Sequence, residues 1–372
     1  MALDIKISLH SYVKHDDIKR GRLQIVCSGR DYTRQLMNSI GRIAVTRVPM
    51  YAYAKELIDI EEIKPETGYH RSAAFNNDMM RLRLSNTPVM NVDPEISFLH
   101  ERYWKNIDYA DEKREKHKNE KNIEVMIDAK NSNDDSLENE GDVLHITTND
   151  INVYIDGKKQ KIYSESYPLL IISLRPKEAF KCSMKAVLGV GINNTCWDAC
   201  SNFCFDEETL DGKTIVSFQA ASQMDEYTLV LRALDYFKIR TDMLKDEIHR
   251  MYLQQQKPGK RFQIVLQNED HTMGEVINYE LQSHPDIRSS GCAKKDFLIR
   301  DILIDVTAFS ESKLLNAINE SMDNLLKKIE TFKKQFIKLV PTKSDSKLSR
   351  TKSKTKSKSR KSKSRKSKSR KS

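Results

Sequence analysis

Residues Leu23–Cys27 read LQIVC, a short apolar run of strand length, and the pattern then changes period. Leu36, Met37, Ile40, Ile43 and Ala44 recur at spacings of three and four, which predicts one apolar face of a helix that must stop before Pro49. MYAYAKELIDIEEI follows as a strand, and Asn86-Thr87-Pro88 and Pro94 punctuate the chain. ERYWKNIDYADEKREKHKNEKN, residues 101 to 122, is too polar for a core and predicts a solvated helix or loop. Alternating strand patterns come next in IEVMID, DVLHIT and INVYIDGKKQKIY, whose Asp156-Gly157 marks a hairpin turn, and NSNDDSLENEGD is an acidic loop between the first two. YPLLIISLRP closes this β-rich stretch.

Further on, KTIVSFQAA predicts a strand leading into DEYTLVLRALDYFKIRTDMLKDEIHRMYL. In that segment Leu229, Ala233, Leu234, Phe237, Met243, Leu244 and Ile248 mark a long amphipathic helix. After QQQKPGK the order strand, short helix, strand, long helix returns. RFQIVLQN, EDHTMGEVINYEL, DILIDVTAF and SKLLNAINESMDNLLKKIETFKKQF supply it, with Leu314, Leu315, Ile318, Met322, Leu325, Ile329, Phe332 and Phe336 on the last helix face. Asp31-Tyr32-Thr33 echoes Asp270-His271-Thr272, so the chain reads as two related halves. The expected fold class is α+β: two dimerisation units forming an intramolecular pseudo-dimer, with a β-rich domain inserted in the first and a disordered basic tail. The boundaries are 1–88 and 186–253 for the first unit, 89–185 for the insert, 254–260 for a linker, 261–340 for the second unit and 341–372 for the tail.

Charge changes the picture less than its total suggests. The formal net charge is +10, but Lys343–Ser372 holds 15 Lys or Arg against one acid, Asp345. The body is therefore mildly acidic. The tail has no apolar residue after Leu348 and cannot bury a core; it suits salt-dependent adhesion to a polyanion, or a solubilising appendage. No apolar run approaches the length that spans a bilayer, which predicts a soluble intracellular protein with no membrane partner, and the six cysteines of such a chain are expected as free thiols.

Glu269, Asp270 and His271 lack a second ligand pair at helical spacing. Thr272-Met273-Gly274-Glu275 fits a T-x-x-E capping box, and Asp270, Thr272 and Glu275 are the expected helix cap, with the preceding acids favourable to the helix dipole. Cys196, Cys200 and Cys204 recur every four residues without the paired spacing of a structural zinc site, and ordinary packing thiols are expected there. Gly189-Val190-Gly191 is too little for a nucleotide loop. No catalytic, cofactor-binding or metal residues are assigned, and no cofactor is expected. Dimerisation-interface positions are Leu36, Met37, Ile40, Ile43, Met273, Val276, Ile277, Leu281, Leu325 and Ile329.

NSIGRIAVTRVPMYAYAKELIDIE resembles the helix and following strand of the third subunit of eukaryotic RNA polymerase II, of its archaeal counterpart D and of the bacterial alpha N-terminal domain, through Asn38, Ile40, Arg42, Ile43, Val48 and Pro49. Arg83, Leu84 and Pro88 fall on a further segment of that family. The run Glu269, Asp270, His271, Thr272, Met273, Gly274 is similar to the signature of the eleventh subunit and its archaeal counterpart L. Gly41, Leu82, Glu275, Asn278 and Cys292 depart from the usual pattern. The resemblance covers most of residues 20 to 336 and implies a fusion of the two assembly subunits. It implies a non-catalytic platform that docks the largest and second-largest polymerase subunits beside small zinc-binding subunits of the tenth and twelfth type, touching DNA or RNA through the complex and through the tail. Such fusions suggest a large cytoplasmic DNA virus, hence a viral factory and virion, or otherwise the nucleus. The alternative reading is a nucleic-acid-binding scaffold acting through the tail, and a zinc hydrolase using His271 and the cysteines is a third.

Overall fold

A computed structural model describes residues 3–15, 20–72, 75–111, 113–133, 143–208, 213–255, 259–296 and 298–341. The basic tail, the core of the linker and most of the acidic loop lie outside the described residues. In chain order the elements are β1 (Lys6–His15), β2 (Arg20–Ser28), α1 (Arg34–Thr46), β3 (Met50–Ile60), β4 (His70–Arg71), α2 (Asn77–Ser85), β5 (Ile123–Lys130), β6 (Leu144–Thr147), β7 (Asn152–Ile155) and β8 (Lys158–Lys159). Then come β9 (Leu170–Leu174), β10 (Glu178–Gly189), β11 (Cys200–Glu208), β12 (Thr214–Ala220), α3 (Glu226–Gln254), β13 (Arg261–Gln267), α4 (His271–Gln282), β14 (Ile287–Ala293), β15 (Asp301–Ala308) and α5 (Glu311–Ile337).

One four-stranded antiparallel sheet has the order β1-β2-β12-β11, and one three-stranded antiparallel sheet the order β13-β15-β14. The first carries α1 and α3, the second α4 and α5. Neither sheet can cover both of its helices. Instead α1 packs on α4, α3 on α5, α3 on β13 and α5 on β1, so the apolar faces merge into one core that runs from Ile5 to Phe336. Each buried methylene removes about 0.8 kcal/mol of apolar hydration cost, and the ten expected interface side chains are all buried in this core.

A further sheet has the order β3-β10-β5-β7-β8, and a second core is built on it by β3, β10, β5 and β7 together with the β6-β9 pair and α2. The Asp156-Gly157 hairpin is present, with both residues at positive φ as a type I′ turn needs. The boundary expected at 88/89 does not coincide with a break in packing. On β3, Met50, Ala52 and Ala54 face the first core while Tyr51 and Tyr53 face the second. That double burial explains why MYAYA is apolar throughout, and β10 likewise continues past 185 to Gly189. Residues 101–111 and 113–122 form turns and a 3-10 segment, the loop of the two forms expected there. They also bury Trp104 and an Arg114–Glu120 ion pair, because the loop folds back over the insert.

Candidate functional site: the junction of the two halves

Glu269 is the most buried acid at this junction, 1 % exposed, and it stands just ahead of α4. Arg47, the C-cap of α1, reaches its Oε2 at 3.3 Å, and Arg240 of α3 reaches its Oε1 at 2.6 Å. Both arginines are themselves buried, and Arg240 also pairs with Glu247 at 3.1 Å. Burial, the largest influence, pushes the Glu269 carboxyl above its usual range against the pull of the two guanidiniums. The acid is thus no ornament of the helix dipole. It is a charge from one half clamped by two from the other.

The expected capping box does not form. Asp270 is the N-cap of α4: its side chain accepts from the Thr272 backbone N–H at 2.7 Å, so the helix begins two residues earlier than a Thr272 cap would place it. Burial, the largest single influence, pushes the Asp270 carboxyl up, but its hydrogen bonds with Thr272 together with the charges of Arg47 and Arg42 hold it below the ordinary range. Thr272, released from capping, faces α1. Its carbonyl accepts from Ser39 Oγ at 2.6 Å and its Oγ1 accepts from Arg42 Nε at 3.0 Å. Glu275 turns outward to His271, 3.2 Å away.

The other motif residues divide by burial. Pro49 is buried at the start of β3, and Gly274 lies where a Cβ would meet Cys292 Sγ and Ile302, so glycine permits the close approach of α4 to its sheet. Gly41, which replaces an arginine of the family pattern, has a similar reason: a Cβ there would strike the Phe203 ring, which packs on Phe205 and Phe218. Asn38 is exposed on α1. Arg83 points elsewhere, donating to the Leu170 carbonyl of the insert at 3.0 Å, and Pro88 follows α2.

Cys196, Cys200 and Cys204 are free and do not converge. Cys196 lies in a 3-10 turn, while Cys200 and Cys204 lie on β11 with separate partners, Asn202 O and Ser217 Oγ. Among the described residues the one grouping of metal-ligand types is His271, Glu275 and Cys292, with ligand atoms within 4.8 Å of one another. It sits at the positive end of α4, unfavourable for a cation, and burial pushes the Cys292 thiol up to about 12. Three of the residues that build the junction, Arg47, Arg240 and Ser39, carried no signal in the sequence beyond their place on predicted helices.

The geometry sets two α/β units against each other across a shared helical core. Residues 261–335 match the family model described as the RNA polymerase Rpb3/Rpb11 dimerisation domain. Along 342 residues the chain is 25 % identical to a putative DNA-directed RNA polymerase subunit of Acanthamoeba polyphaga mimivirus, a match that covers 86 % of this chain and 91 % of that protein. The resemblance read from the motifs is borne out to this extent: residues 261–335 are similar to the Rpb3/Rpb11 dimerisation domain, the chain at large is similar to a viral polymerase subunit, and a viral origin is consistent with that relative.

Proposed function

We propose that this protein is the non-catalytic assembly platform of a multisubunit DNA-directed RNA polymerase. Its two halves form an intramolecular pseudo-dimer on which the second-largest subunit and then the largest dock, with small zinc-binding subunits of the tenth and twelfth type as neighbours. The active site belongs to those large subunits. What carries the reading is the junction: α1 against α4 and α3 against α5, closed by Glu269 between Arg47 and Arg240. A tether through residues 254 to 260 holds the halves at an effective concentration on the order of millimolar, so the platform does not depend on subunit concentration. The expected setting is a viral factory in host cytoplasm, and the virion. Among the described residues no helix is long and apolar enough to cross a membrane.

Affinity purification of the tagged full chain from infected cells, followed by mass spectrometry, tests the proposal. Both large polymerase subunits should co-purify in a complex stable to moderate salt. Their absence would sink it.

A further inference from the structure

The contact between α3 and α5 carries a second regularity. Lys238 Nζ lies 2.6 Å from Glu330, Lys245 pairs with Asp323, and Lys333 pairs with Asp235. Each step forward along α3, from 235 to 238 to 245, is matched by an equal step backward along α5, from 333 to 330 to 323. The two helices therefore run antiparallel in one register. Counted from the N-caps Asp225 and Ser310, Lys238 and Lys245 are the thirteenth and twentieth residues of their helix, and Asp323 and Glu330 are the thirteenth and twentieth of theirs. The thirteenth position of each helix meets the twentieth of the other. Where α3 has two lysines, α5 has two acids.

This symmetry has a consequence for alternatives. If α3 of one copy paired with α3 of another in the same register, Lys238 would face Lys245 twice; an α5 pair would set Asp323 against Glu330 twice, offset in part by Glu320 against Lys333. We propose that the charges at these four positions select the α3–α5 match and disfavour like-with-like pairing between copies of the chain. The inference rests on the pseudo-dimer reading above. Half-exposed ion pairs add little to stability alone, but discrimination depends on the difference between matched and mismatched arrangements, and in an α3–α3 pair two attractions become two repulsions. Charges spaced seven residues apart beside an apolar seam act in the same way on coiled-coil partner choice.

Two double variants of the full chain with the same net charge separate this from a general charge effect. Lys238→Glu with Glu330→Lys reverses one pair and keeps both contacts attractive. Lys238→Glu with Asp323→Lys makes both α3–α5 contacts repulsive and both like-with-like contacts attractive. The Lys238→Glu/Glu330→Lys control places a new lysine near Lys333 and Lys334, so any local repulsion within α5 works against the expected result. Light scattering after gel filtration at about 0.01 M salt, where the Debye length is about 30 Å, should show a two-chain species on the order of tenfold more populated for Lys238→Glu/Asp323→Lys. At about 1 M salt, with a Debye length of about 3 Å, the difference should vanish. Equal masses for the two variants at low salt would overturn the proposal. So would a lowered unfolding midpoint with unchanged mass, since the pairs would then stabilise without selecting. The assay uses purified protein alone, so its failure is distinct from a failure to recover the large polymerase subunits.

Discussion

Glu269 touches partners that lie 222 and 29 residues away in the chain, which is why its role is illegible in EDHTMGEVINYEL while its neighbour Asp270, a local cap, is legible there. Two guanidiniums buried with one carboxylate depend on it. Glu269→Gln keeps the shape and removes the countercharge, and should cost about 3–5 kcal/mol, read as a lower urea midpoint with an unchanged slope. Asp198 offers a different test. Its Oδ1 is buried without a hydrogen-bond partner among the described residues, and burial pushes its carboxyl from 3.8 up to about 6. The folded chain therefore keeps this proton to higher pH than the unfolded chain does. Its stabilising contribution is fully present below about pH 3.8 and is lost as pH rises through about 6. Asp198→Asn should flatten the fall in unfolding midpoint between those two values, and an unchanged slope across that window would refute the assignment.

At the scale of elements, periodicity did most of the work where one face is apolar and one wet. The interface faces of α1 and α4 follow it without exception, and on the long helices only the margins drift: Met243 and Leu315 are half-buried. The strand β1 escaped because a bulge between Leu9 and Ser11 shifts its phase, so no single alternation runs through KISLHSYVKH. The first half of β3 hides its alternation for a related reason: Met50–Ala54 alternates between two cores, and a stretch buried on both sides has no polar phase to read. Ile277, 1 % exposed on α4, belongs to the legible set. Ile277→Asp strands a charge in that apolar face and should lower stability by at least about 3 kcal/mol, with loss of the polymerase subunits from the purified complex. A soluble variant that still assembles would contradict its placement.

For the molecule as a whole, the sequence supports a division of labour between an acidic body and a basic tail. Removing residues 342 to 372 should leave both the unfolding midpoint and recovery of the large subunits unchanged. It should also abolish the steep salt dependence of any binding to RNA or DNA by the isolated protein. Loss of assembly on that deletion would instead favour the scaffold that acts through its tail. The packing of α1 on α4 and of α3 on α5 agrees with an element order that occurs twice; the Glu269–Arg47–Arg240 cluster beside it was not legible, since helical periodicity reports where a side chain points and never what meets it.

The order of the helices also sets a timetable. Synthesis delivers α1 and α3 first, with their apolar faces and with Arg47 and Arg240 awaiting a carboxylate that has not yet been made. The roughly 80 residues that complete α4 and α5 take about 4–16 s at ordinary translation rates. For that interval the ribosome holds half of an interface, open to chaperones and to the same half on a neighbouring ribosome. A chain that carries its own partner shortens this exposure to seconds, where two separate subunits would have to find each other by diffusion.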